Sequence, residues 1–179
     1  MKTFMMSDDN RINPLSARIG EIVISRAPDI LEALALGSCV ATFIYDEVAK
    51  IGGCAHVLLP ESNEYMKRLD KDDHNKPGKY ADLAIPNLIK MLVQKGATRD
   101  RLKAKIAGGA KMFDLTVKSP IAMDVGERNI RAVIENLKRH EIPLVGNDTG
   151  EDYGRTVAFD LATGVMTIKL GLKKVVKHI

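Results

Sequence analysis

Apolar and polar positions alternate or cluster along the chain in ways that predict most of its elements. "IGEIVIS" carries three β-branched residues in a row, Ile22, Val23 and Ile24, bounded by Gly20 and Pro28, and predicts a strand. "DILEALALGSC" is ambiguous: its Leu, Ala and Glu content favours helix, yet it is short and stops at Gly37 as a buried strand would. "CVATFIY" and "KIGGCAHVLL" are two further apolar runs separated by Asp46, Glu47, Val48 and Ala49, which predicts a hairpin with a four-residue loop. If Tyr45 faces Lys50, Cys39 falls opposite His56, with Cβ atoms ~4.5–5.5 Å apart. A slip of one residue would send the two side chains to opposite faces.

Glu61 to Lys79 reads as a polar loop closed by Pro77-Gly78. From Tyr80 to Lys95 an apolar stripe at helical spacing (Ala81, Ala84, Ile85, Leu88, Ile89, Leu92) predicts a helix capped by Gly96, with Pro86 expected to kink it or delay its start. "LKAKIAGGAKMF" predicts a strand running into a turn at Gly108-Gly109, and "VGERNIRAVIENLKRH" a second helix with Ile130, Val133, Ile134 and Leu137 on one face. "IPLVGNDTG", "RTVAFDL" and "VMTIKL" predict three more strands, the last two joined by a turn at Ala162-Thr163-Gly164. Residues 1–18 read as a polar tail and 19–179 as a single domain. Strands interleaved with two helices, without regular βαβ alternation, give an α/β fold with largely antiparallel pairing.

Composition narrows the function classes. At 179 residues the chain can bury a core without disulfides or metals. Its net charge of +4 is spread out, and clusters such as Lys173-Lys174 lack the interleaved aromatics of a nucleic-acid surface, so no nucleic-acid partner is expected. No apolar run reaches the ~20 residues of a membrane span, and Ser7, Asp8, Asp9 and Asn10 break up any signal-like segment near the start. A cytoplasmic protein without membrane insertion is expected, with Cys39 and Cys54 as free thiols.

Cys39 and His56 are the chemical candidates. A cysteine emerging from a Gly37-Ser38 turn can meet converging backbone N–H groups, and those of Ser38 and Cys39 are candidate oxyanion donors. Against this stands the ordinary role of cysteine as a small buried hydrophobe, and of a strand histidine as a satisfied core residue. Hairpin pairing favours the functional role, because a base must reach its nucleophile. His74, His140 and His178 are expected to be bystanders. Cys39, Cys54 and His56 make a poor zinc set, and Gly108-Gly109 matches no nucleotide-binding loop.

Six stretches in order resemble the chemoreceptor glutamine deamidase family, CheD: "LGSCV", "GGCAHVLLP", "KPGKYAD", "KIAGGAKMF", "GERNI" and "NDTG". The resemblance implies an α-β-β layered sandwich and makes "DILEALAL" a strand. It also implies a cysteine-histidine site and deamidation of glutamine side chains in methyl-accepting chemotaxis receptors. It implies no metal or organic cofactor, and a CheC-type phosphatase as partner. The family usually has a threonine six residues before the cysteine, where its hydroxyl orients the histidine; here that position is Ala33. The Ala33 carbonyl, or a water held there, is then expected to orient His56. Thr42 would be the nearest substitute hydroxyl, but its parity puts it on the other face from Cys39. Retained activity is expected, the alternative being a non-catalytic adaptor. A methylesterase, a transglutaminase and a cysteine peptidase are further rivals, separable by product.

Overall fold

The computed structural model of the protein describes residues 14–62, 76–111, 125–170 and 175–179. His74, Met112, Phe113, Lys173-Lys174, most of the Glu61–Lys79 segment and residues 1–13 lie outside them. Among the described residues, ten strands and two α-helices make three layers. One sheet runs β2(Ile22–Arg26), β5(Ile51–Val57), β4(Val40–Asp46), β6(Leu102–Gly108), β7(Leu144–Thr149). The other runs β1(Leu15–Ser16), β3(Ile30–Leu36), β8(Arg155–Asp160), β9(Met166–Leu170), β10(Val175–His178). Each sheet is antiparallel apart from one parallel pair, β6 with β7 and β1 with β3.

Helices α1(Ala81–Gln94) and α2(Val125–Arg139) cover one face of the first sheet, and the second sheet covers the other. Every residue of β4 and β5 is therefore buried, which is why both read as continuous apolar runs. Val40 and Ile44 pack toward the helices, while Ala41, Phe43 and Tyr45 pack toward the second sheet. There the Phe43 ring stacks on Phe159 of β8 at 5.3 Å between centroids. Arg155 of β8, also buried, reaches across the layers to Asp148 of β7 at 2.6 Å, and Lys177 of β10 meets the same carboxylate at 2.8 Å.

"DILEALAL" is strand β3, against its helical propensity. Leu31 and Ala33 point inward, and an extra residue is accommodated before Leu36, with Ala35 at φ 52, so that Leu36 points inward too. α1 begins at Ala81 and continues through Pro86, so the proline does not delay its start. Gly96, at φ 101, donates its N–H to Val93 while Ala97 donates to Leu92, the paired bonds of a helix end closed by a left-handed residue. The β4–β5 register differs from expectation by two residues. Asp46 pairs with Ile51, so Tyr45 faces Gly52 and His56 faces Ala41. The reason is that Asp46 stays in the strand and its carboxylate accepts the N–H groups of Val48 and Ala49, moving the loop to residues 47–50. A shift of two preserves side-chain parity.

The fold also begins earlier than residue 19. Leu15–Ser16 pair with β3, and Ala17 is buried with its N–H on the Glu32 carbonyl.

Candidate active site

Cys39 lies where the chain crosses from β3 in one sheet to β4 in the other, through Gly37, Ser38 and Cys39. All three carbonyls of this crossing are taken. Ala110 N–H donates to Gly37 O at 2.8 Å, Asn129 Nδ2 to Ser38 O at 2.9 Å, and Gly109 N–H to Cys39 O at 2.7 Å. Such close approach needs Gly108: a Cβ there would lie 2.2 Å from the Cys39 carbonyl oxygen, and the residue adopts φ 113. The Gly108-Gly109 turn thus serves the cysteine crossing.

Cys39 packs on the inter-sheet side with 7% exposure. Burial pushes its thiol pKa up, opposed by its own backbone N–H. His56 projects to the same side, since it faces Ala41 and Cys39 is two residues from Ala41 along the chain. The imidazole is 2% exposed, and its Nδ1 sits 2.9 Å from the Ala17 carbonyl oxygen. A carbonyl only accepts, so Nδ1 carries the proton and Nε2 of the neutral ring keeps its lone pair. Nε2 has no hydrogen-bond partner among the described residues. Burial lowers the His56 pKa, opposed by the Ala17 carbonyl and the Glu21 charge. The main chain of His56 is held by the same segment, its N–H on Glu21 O at 3.0 Å and its carbonyl on Gly20 N at 2.9 Å. No hydrogen bond joins Sγ to the ring in this state, which pairs a neutral thiol with a neutral base.

Ala33 is fully buried on β3, opposite Val157, in the same inter-sheet cluster as Cys39. The carbonyl that meets the imidazole is that of Ala17, not of Ala33. β1 runs alongside β3, and the chain that follows it brings the Ala17 carbonyl to Nδ1. Thr42 faces away, opposite Ala55 on the helix side. Cys54 is sealed opposite Phe43, and burial drives its thiol pKa far up. His178 is exposed and contacts Thr167, and His140 accepts Arg99 through its carbonyl. Among the described residues no group of three or more His, Cys, Asp or Glu side chains is placed to hold a metal ion.

Comparison with known proteins decides the lineage. The family profile "CheD chemotactic sensory transduction" matches residues 58–170. A Methanococcus vannielii protein named "Probable chemoreceptor glutamine deamidase CheD" is 46% identical over 157 residues, covering 88% of this chain and 95% of its own length. A Clostridium botulinum protein of the same name is 40% identical over 167 residues, covering 92% of this chain and 99% of its own. The chain belongs to the CheD family.

The CheD profile begins after β5, but a match over 88% of the chain cannot leave out residues 1–57, so the cysteine crossing lies within the similarity to the relatives. Two residues of this CheD chain that touch the imidazole and the cysteine crossing carry little signal in the sequence. Ala17 belongs to a segment that reads as a polar tail. Asn129 is wholly buried in α2, and its one signal is spacing: it lies four residues before Val133 and seven before Asn136, on the buried stripe. No helix of the described residues is long and apolar enough to cross a membrane.

Proposed function

We propose that this protein hydrolyses the side-chain amide of glutamine residues in methyl-accepting chemotaxis receptors, giving glutamate and ammonia, with Cys39 as nucleophile and His56 as general base. The observation that carries this is the His56 ring held by Ala17 with a bare Nε2 on the cysteine's side of the sheet. The names of the curated relatives support the substrate class.

Nε2 takes the thiol proton as Sγ bonds to the amide carbon, and the carbonyl π electrons move onto oxygen. The Ser38 and Cys39 N–H groups face the resulting oxyanion. The intermediate collapses by breaking the C–N bond, and the imidazolium gives its proton to the leaving nitrogen, which departs as ammonia. Water, deprotonated by His56, then attacks the thioester; the C–S bond breaks and the proton returns to sulfur. Starting from a neutral pair, the thiol gives up its proton only as the carbon–sulfur bond forms, so the free protein holds no standing thiolate. The product adds one negative charge to a receptor helix. The proposal places the reaction in the cytoplasm, with a CheC-type phosphatase as regulatory partner and no cofactor.

The experiment incubates the purified protein with a receptor cytoplasmic fragment and follows ammonia release and Gln-to-Glu conversion by mass spectrometry. Conversion that persists in Cys39→Ala overturns the assignment. A second reading, an adaptor that binds receptors without chemistry, draws on Ala33 standing where the family has a hydroxyl. It predicts binding with no ammonia from the wild-type protein.

A further inference from the structure

We infer that Asn129 is a positioning residue for this reaction: its Nδ2 group holds the Ser38 and Leu58 carbonyls and so turns the Cys39 N–H toward the oxygen of the reacting carbonyl. The inference rests on the deamidase reading of the site.

Both hydrogens of Nδ2 are used, each at 2.9 Å, one on the residue before the nucleophile and one on the residue two beyond the base. One side chain therefore ties the start of β4 to the end of β5. A trans peptide points its C=O and N–H in opposite directions. With the Ser38 carbonyl drawn toward α2 on the helix side, the Cys39 N–H faces the inter-sheet side, where the Cys39 side chain packs. The influence of that N–H on its own thiol agrees with this direction. The carbonyls on either side are fixed by backbone donors from the Gly109–Ala110 turn, so Asn129 supplies the side-chain part of the clamp.

Stability alone does not account for an asparagine here. It is fully buried and its Oδ1 has no partner among the described residues, an arrangement that burdens the fold. The helix is also brought unusually close at this point. A Cβ on Gly126 would lie 2.6 Å from the Gly109 carbonyl oxygen, so the first turn of α2 rests directly on the turn that clamps Cys39.

The test is Asn129→Asp, which keeps the shape of the side chain but removes the amide donor, assayed beside wild type and Cys39→Ala. The expected result is a kcat for ammonia release lower by on the order of 10²-fold, with KM within about threefold. Alkylation of Cys39 by iodoacetamide, which forms no oxyanion, should stay within about threefold of wild type, a split that a merely structural role would not produce. A folded variant with kcat within about threefold of wild type overturns the inference, as does a kcat that falls in step with alkylation. A second measurement needs no variant. Wild type is labelled with ¹⁵N and treated with a receptor peptide bearing an aldehyde in place of the glutamine carboxamide. Sγ adds to the aldehyde carbon, the thiol proton passes to its oxygen, and the Cys39 N–H signal should move downfield. An unshifted signal in the formed adduct overturns the inference even if Asn129→Asp does not fold. Absence of ammonia release from wild type would instead sink the deamidase reading, leaving the aldehyde adduct to decide on Asn129.

Discussion

At the turn end of the β4–β5 hairpin, Asp46 is buried and saturated: its carboxylate accepts Val48, Ala49 and Thr98 N–H groups and the Arg101 guanidinium. At the open end, about five residue pairs away, the buried polar groups are left incomplete, with His56 Nε2 and Asn129 Oδ1 both lacking partners among the described residues. The two ends share strands, layers and depth of burial. They differ in whether every lone pair is spoken for. Saturation at one end fixes register, while at the other the proposed base keeps Nε2 unpaired, so the proposed chemistry sits where hydrogen bonding stops short.

The contrast breaks most completely at the open end. Cys39→Ala should abolish ammonia release, and His56→Ala should lower kcat by on the order of 10³–10⁴-fold with Tm little changed. If His56→Ala retains kcat within tenfold, the unpaired Nε2 has no catalytic meaning. At the turn end the effects should invert. Asp46→Ala should cost about 2–4 kcal/mol of stability in urea unfolding, tempered because Arg101 is partly exposed, with kcat unchanged below the melting range. Burial alone would raise the Asp46 pKa, but Arg101 and the Ala49 and Thr98 N–H groups outweigh it and hold the carboxyl well below its usual 3.8. A carboxyl depressed on folding stabilises above its unfolded value, so this contribution should fade as pH falls below about 4 and be absent from the acid limb of Asp46→Ala.

The pH dependence of the open end sharpens the comparison. With His56 depressed below 6.5 and Cys39 raised above 9.0, the neutral pair persists between, and kcat/KM should rise along a limb below pH 6.5 to a plateau. Thiolate absorbance in the free protein should appear only above pH 9.0; a thiolate at pH 7 would mean a preformed ion pair instead. Buried neutral histidine also favours the fold above 6.5, a contribution lost as pH falls from there through the folded value. The smallest effect is expected for Ala33→Thr. Because Ala17 already holds the ring, the rate should change by less than about threefold, and a larger rise would show that ring orientation limits turnover.

Much of this was legible in the chain. The parity of Cys39 and His56 survived a two-residue error in register because strands alternate with period two, so any even slip keeps a face. Helix α1 and its Gly96 end were legible from spacing, and Pro86 misled only about its start. β3 was not legible from its residues, since burial between sheets overrides the helical preference of Leu, Ala and Glu. Asn129 was hidden among charged helix residues, and Ala17 in a segment without an apolar signal. Both make their contacts with elements distant in sequence, which no local pattern encodes.

The Ala17 contact has a practical consequence for whoever produces this protein. Clones begun downstream of β1 and Ala17 would lack the acceptor that fixes the proton on Nδ1 of the imidazole. On the proposed mechanism such a preparation would turn over poorly, and an inactive batch would say more about the chosen start codon than about the protein.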